Sequence, residues 1–308
     1  MMQPCFHIEI VTPKKVVLDG LWYGPYSAKA SKGKPKKPKR VIVWVHGLGS
    51  SMFSKLGIAD ELVDKETAVV MFNNRGHDKV TSVRRTNGAY VRAGAVHEVF
   101  TDCVDDIQGA INFAKKQGVK DVYLAGHSTG CQKAVYWASK KGRGVKGVII
   151  LAPMSDYETE LAAQGKKVIQ RAAAQARAYM KKGKKHVMLP EDVWRWPWIA
   201  DAQRFLSLYT GASAEEIFTY WDTSKSPRTL KSVRIPLLVL LAEKEEFSHI
   251  PAKQIAAWFE THIRKGRAVI VPKVGHSFSS GGGFASGGNG GEKMVAAHIR
   301  SFIGLTQV

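Results

Sequence analysis

An α/β fold built on a mostly parallel sheet is what this chain predicts, and three observations carry the prediction. From residue 41 to 153, short apolar runs alternate with amphipathic stretches. The rhythm stops between residues 156 and 233, where no strand-like run stands out, and it resumes at IPLLVLLA, residues 235–242. Continuous apolar runs of this length read as strands buried on both faces, and their alternation with helices is the pattern of a parallel sheet covered on both sides.

The elements follow in order. FHIEIV and KVVLDGLWYG read as a hairpin turning near residues 12–14, which adds antiparallel strands at one edge. VIVWVH (41–46) is the first central strand, and a glycine turn, GLGSS, leads into a helix near 54–63. AVVMFNN (68–74) is a second buried strand, and RGHDKVTSVRRTNG after it is a polar loop. Val99, Val104, Ile107, Ile111 and Phe113 recur at helical spacing, and Gly118 suits the end of that helix. DVYLAGHS, TGCQKAVYWASKKG and VKGVIILAP follow as strand, helix and strand. Residues 158–182 predict one long helix, DVWRWPWIADAQRFLSLY is rich in tryptophan, and residues 214–221 predict another helical piece. After the strand at 235–242 come a helix at 253–264, a strand RAVIVPKV, a glycine-rich loop (279–291) and a final helix. The boundaries predicted are therefore a core in two parts, 1–155 and 234–308, with a helical insertion at 156–233.

Composition narrows the classes. With 308 residues, 44% hydrophobic, the chain is long enough to bury a core without disulfides or metals. Cys5, Cys103 and Cys131 are scattered and lack CxxC spacing, which argues against a disulfide framework or a zinc ribbon and for a reducing compartment, the cytoplasm. No signal-peptide core opens the sequence, and no run approaches a membrane span. The net charge of +20 is unusual. Part of it lies in SAKASKGKPKKPKR (27–40), too polar to fold alone and expected as a solvated loop. The basic surface could attract polyanions, but the run has no interleaved aromatics of the kind that stack on single strands. No nucleic acid or membrane is expected as an obligatory partner.

The chemistry concentrates in Gly126-His127-Ser128-Thr129-Gly130, a G-x-S-x-G placed between a strand and a helix. A serine on so tight a turn needs small neighbours, and the turn lifts its hydroxyl beside the N–H groups that open the next helix. A serine hydroxyl needs a base. His276, in VIVPKVGHSF, lies in the loop after the last strand and at the same sheet edge; His249 and His298 are worse placed. The oxyanion donors expected are the N–H of Thr129 and that of Leu48, in the HGLG turn after the first central strand. The acid should follow the strand before that of His276, where LLAEKEEF offers Glu243, Glu245 and Glu246. Glu243 lies one residue past the expected strand end, too close to reach the histidine loop.

Taken together, HGLG, FNNRGHD, GHSTG, the helical insertion, the acidic turn and GHSF resemble, in order, the α/β-hydrolase superfamily, over nearly the whole chain. NNRGHD with GHSTGCQK is similar to an esterase-like group that includes relatives of siderophore esterases. The resemblance implies an α/β-hydrolase fold whose helical cap, 156–233, roofs the pocket. It implies a serine hydrolase of small-molecule carboxylic esters that works through an acyl-enzyme with no metal or organic cofactor. Thioesterase, amidase and acyltransferase chemistry on the same residues, or a non-catalytic ligand-binding protein of the same fold, are the alternatives. The superfamily's acid turn runs Gly-x-x-Asp; with Ala242 at the glycine position, the acid falls on Glu245, and Glu246 is the runner-up. Arg75 and the tryptophans Trp194, Trp196 and Trp198 are candidates for the substrate pocket, against a loop-shaping salt bridge and a packed cap core.

Overall fold

The computed structural model describes residues 5–25, 37–141, 143–195, 200–278 and 289–305. Most of the basic run 27–40, Trp196 and Trp198, and most of the glycine-rich loop 279–291 lie outside these.

The strands are β1 (Cys5–Val11), β2 (Val17–Tyr23), β3 (Arg40–Val45), β4 (Thr67–Phe72), β5 (Thr81–Arg84), β6 (Tyr90–Ala93), β7 (Asp121–His127), β8 (Gly147–Leu151), β9 (Leu237–Lys244) and β10 (Gly266–Gly275). The helices are α1 (Leu56–Leu62), α2 (Cys103–Lys116), α3 (Thr129–Lys141), α4 (Asp156–Gln164), α5 (Lys166–Lys181), α6 (Ala202–Leu208), α7 (Arg228–Ser232), α8 (Ala252–His262) and α9 (Asn289–Leu305). One eight-stranded sheet runs β1-β2-β4-β3-β7-β8-β9-β10. The pairs from β4 to β10 are parallel, and the β1–β2 hairpin joins antiparallel at one edge.

Pleating explains why the strands read as unbroken apolar runs. Val41, Val43 and Val45 of β3 enter one core layer, while Ile42 and Trp44 enter the other. The same alternation divides β4, β7, β8 and β9. Helices α2, α3 and α8 cover the first face; α1 and α9 pack together over the second. Each fully buried Val, Leu or Ile contributes about 1.5–3 kcal/mol, so a charged residue at Val43 would leave an unpaired charge in the centre of the sheet. Among the described residues, no helix is long and apolar enough to cross a membrane. All three cysteines are free, Cys103 and Cys131 buried and Cys5 exposed.

The structure differs from the sequence expectations in four places. The polar loop after β4 contains β5, which pairs with β6 as a small second sheet; the Asn87-Gly88 turn between TSVR and YVRA is its signal. The long helix over 158–182 is two helices, because Gly165 at φ 80° leaves the helical region between α4 and α5. Residues 214–221 form no helix. Glu215, Ile217, Phe218, Thr219 and Tyr220 are all buried, so the segment has no solvent face to give a helix its stripe. Finally, β9 runs two residues beyond Ala242, to Lys244.

Between β8 and β9 the chain builds its own small core, where Ile169, Ala172, Ala176, Trp194, Phe205 and Tyr209 pack together. Ile217, Phe218, Tyr220 and Leu230 instead rejoin the main core beside the sheet. A buried ionic knot ties this helical layer down. Lys133 of α3 meets Glu98 at 2.6 Å; Arg204 of α6 meets Glu98 at 3.0 Å and Glu215 at 2.5 Å. Burial opposes the charge on Glu98, yet Lys133 and Arg204 beside it hold its carboxyl below the usual range. The pairing is what makes buried charge tolerable at all.

Candidate active site

Ser128 occupies the single residue between β7 and α3, at φ 57°. That left-handed conformation costs a non-glycine residue about 1–3 kcal/mol and persists only where the surroundings enforce it. Here the Ser128 N–H donates to the Leu151 carbonyl at 3.0 Å, and the Ser128 carbonyl accepts from the Cys131 N–H at 2.8 Å. The flanking glycines are required by space: a Cβ at Gly126 would strike the Gly130 carbonyl, and one at Gly130 would strike that of Val45. A Cβ at Gly47 would come within 2.9 Å of the Ser128 Cβ, so the HGLG turn lies directly against the serine. Thr129, buried, opens α3, whose first N–H groups have no partner within the helix.

The acidic turn meets the end of β10 and the histidine loop after it through its three glutamates. Glu245 Oε1 lies 2.8 Å from His276 Nδ1, and it also accepts from the Phe247 N–H at 3.1 Å. Glu246 accepts from the His276 backbone N–H at 2.6 Å. Glu243 accepts from the Lys273 N–H at 2.7 Å. Glu243 therefore reaches the end of β10 and not the histidine itself. Because β9 is longer than expected, and β10 shifts register between Val271 and Gly275, with Lys273 at φ 61°, an exposed N–H is presented to it. His127, the variable residue of the elbow, closes the fourth side. Its Nε2 donates to the His276 carbonyl at 2.9 Å, and burial, with Lys55 and His276 nearby, holds its pKa well below the usual value, so the ring is neutral. Lys55, whose pKa burial lowers to about 8, donates to the Ser277 carbonyl at 2.8 Å. His276 is thus held at its ring, its N–H and its carbonyl at once.

Ser128 and His276 line one cavity of about 410 Å³, with Gly47 and Leu48 in its wall. The Ser128 hydroxyl points at Met154 Sδ, 3.7 Å away, and among the described residues it has no hydrogen bond to His276. Phe53, Met154, Tyr209 and Phe247 supply apolar wall, and the Phe247 ring stands edge-on to His276 at 4.7 Å. Asp156 and Glu160 reach the cavity from α4. Burial, then Glu215, pushes the Asp156 pKa well above the carboxylate range, and burial raises that of Glu160. Burial thus disfavours negative charge on this side of the cavity.

Two pocket candidates are placed elsewhere. Arg75 is not in the wall: it meets Asp102 at 3.0 Å, Asp105 at 2.8 Å and Asp106 at 2.7 Å, fastening the loop after β4 to the start of α2. Those acids favour a helix N-terminus, and the arginine neutralises their crowding. Trp194 is buried between Phe205 and Tyr209, one layer behind the cavity. Trp196 and Trp198 lie outside the described residues. Sequence reasoning did not pick out Met154, Phe247, Lys55 or Asp156 as wall residues. Met154 lies three residues past the end of β8 and Phe247 directly follows the glutamates, so their place just beyond strand ends was the available signal. The residues placed to hold a cation, His97, His186 and Asp201, lie outside the cavity.

The family described as serine aminopeptidase, S33 (Hydrolase_4), matches residues 36–279 of the chain. A search of curated protein sequences returns no match. Solved structures similar to it include DcsB in complex with its substrate analogue, at TM-score 0.67 and 16% identity over 98% of this chain and 99% of that one. The siderophore hydrolase EstB from Aspergillus fumigatus aligns at TM-score 0.65 and 16% identity, over 98% of each chain. Est1E from Butyrivibrio proteoclasticus, with ferulic acid bound, aligns at TM-score 0.60 and 16% identity, over 97% of this chain and 98% of that one. The α/β-hydrolase fold is thereby shown.

Proposed function

Because the chain belongs to the serine aminopeptidase S33 family of hydrolases, we propose that it is a serine hydrolase that cleaves carboxylic esters of small molecules through an acyl-enzyme. The observation that carries the reading is the left-handed Ser128 sharing a cavity with a histidine whose Nδ1 is bound by Glu245. In the proposed reaction the hydroxyl turns from Met154 toward His276 Nε2. Nε2 takes the proton as Oγ bonds to the ester carbonyl carbon. Glu245 fixes the proton on Nδ1 and stabilises the imidazolium that forms. The N–H groups of Leu48 and Thr129 receive the oxyanion, a service worth about 10²–10³ in turnover per donor. The imidazolium then gives its proton to the departing alkoxide, and water, activated by the same nitrogen, releases the acid. Helices α4 to α6 act as the cap, and the apolar wall of Leu48, Phe53, Met154 and Phe247 takes the acyl group.

Esters are preferred because EstB is a siderophore hydrolase and Est1E holds ferulic acid. The description of the family as aminopeptidases favours amide cleavage as the second reading. A panel of short p-nitrophenyl esters against amino-acid p-nitroanilides separates the two. Ser128→Ala is expected to abolish ester turnover and fluorophosphonate labelling, and labelling that survived in this variant would defeat the assignment of the nucleophile.

A further inference from the structure

The geometry points to a zinc site, independent of the ester chemistry, formed by His97, His186 and Asp201, which fastens the helical layer to the sheet domain. One nitrogen of each imidazole and one carboxylate oxygen lie within 4.8 Å of one another. His97 Nδ1 is 2.9 Å and His186 Nδ1 2.7 Å from the same atom, Asp201 Oδ2. The rings stand nearly perpendicular, 5.9 Å apart. Two imidazoles and a carboxylate are a donor set that suits zinc, which takes three protein ligands and leaves a fourth position to water. A tetrahedron with bonds of about 2.0–2.1 Å has edges of about 3.3 Å, so each Nδ1 would sit about half an ångström further from Oδ2 than it does now. The two Nδ1 protons would pass to Nε2, leaving the imidazoles neutral and their lone pairs on the metal.

The surroundings fit a built site. Asp201 has no exposed side-chain surface, and a buried carboxylate calls for a counter-charge. The nearby Arg204 guanidinium is taken by Glu98 and Glu215, so it is the two histidines that face Oδ2. Oδ1 is occupied as the cap of α6, accepting the Arg204 N–H at 2.8 Å, which aims Oδ2 at the imidazoles. All three backbones are pinned: the His97 N–H to Gly94, the Asp201 N–H to the Val96 carbonyl, and Ala202 and Gln203 to the carbonyls of Val187 and Lys185, which flank His186. His186 is 30% exposed, which gives an ion and its water a way in. His97 belongs to the loop after β6 and the other two to the stretch between α5 and α6, so one ion would cross-link both parts of the molecule. Residues separated by about a hundred positions carry no spacing motif, which is why the sequence predicted no metal.

The test is calorimetric titration of zinc into untagged, chelator-treated protein, with cobalt(II) absorption as the second reading. Wild type is expected to bind one zinc ion with a dissociation constant below about 1 µM and to give the intense visible band of tetrahedral cobalt. His186→Ala and Asp201→Asn should weaken that site at least ~100-fold; asparagine keeps the helix cap, so the second variant folds. His276→Ala should bind as wild type does. Equal affinity in wild type and both site variants, or loss of the ion in His276→Ala, would overturn the assignment, as would wild-type binding weaker than about 1 µM.

Discussion

The acidic turn after β9, where Glu243 and Glu246 are exposed and Glu245 is half-buried, and the buried ionic knot beneath the helical layer both gather carboxylates, and they hold them in opposite ways. In the turn, Glu243, Glu245 and Glu246 come from one short stretch, and each takes an N–H donor from a single neighbouring segment, 273–276. No arginine or lysine side chain is engaged by any of the three among the described residues. In the knot, Glu98 and Glu215 are matched by Lys133 and Arg204, drawn from separate parts of the chain. The turn is a positioning device, built from strand register; the knot is a fastening, built from charge. Disturbing the first should therefore cost turnover with the fold intact, and disturbing the second should cost the fold.

The largest effect expected is on the turn. Glu245→Gln should lower kcat by about 10³–10⁴, because an amide no longer fixes the proton on His276 Nδ1. Glu246→Gln loosens only the backbone N–H of His276 and should cost about tenfold, the equivalent of one hydrogen bond of about 1.4 kcal/mol. Steady-state kinetics on an ester, with circular dichroism to confirm folding, checks the pair. A larger loss in Glu246→Gln would mean that the acid lies one residue further along.

Next comes the knot. Arg204→Met leaves Glu98 and Glu215 short of a partner in a buried site, and should destabilise the protein by about 3–5 kcal/mol in urea unfolding. A stability within about 0.5 kcal/mol of wild type would show that the knot is not the fastening described.

A smaller, pH-dependent effect sharpens the contrast. Burial raises the Glu216 pKa to about 7, although Trp221 and Ser155 donate to its carboxylate at 2.9 Å and 2.8 Å. A carboxyl raised on folding binds its proton more tightly in the folded state. Its stabilising contribution is complete below the unfolded value and is lost as pH rises through about 7. Glu216→Gln should therefore gain stability relative to wild type between about pH 5 and pH 8, by no more than about 3 kcal/mol. Parallel stability curves for the two proteins over that range would refute the shift.

Much of this was legible one residue at a time. The GHSTG turn announces Ser128, because a serine in a left-handed turn needs small neighbours whatever surrounds it. The buried strands announce themselves, because residues alternating between two apolar layers leave no polar position. Other features failed to show for physical reasons. Gly165 broke an otherwise good helix, and the buried residues 215–220 did not alternate with solvent. Arg75 looked like a pocket residue because its partners lie some thirty positions away on α2.

By itself, then, the sequence determined the order of the elements, the serine turn, the histidine of the last loop, and the acidic turn with Glu245 set ahead of Glu246. These depend on local geometry and on which strand precedes which loop. Only the tertiary structure decided that Glu243 and Glu246 meet the backbone beside the ring that Glu245 binds. That choice rests on the length of β9 and the register shift in β10. It also decided that His127 and Lys55 clamp the histidine loop, that Trp194 stands behind the cavity wall, and that His97 finds His186 and Asp201. Those pairings are made across long loops, where spacing along the chain carries no information about distance in space.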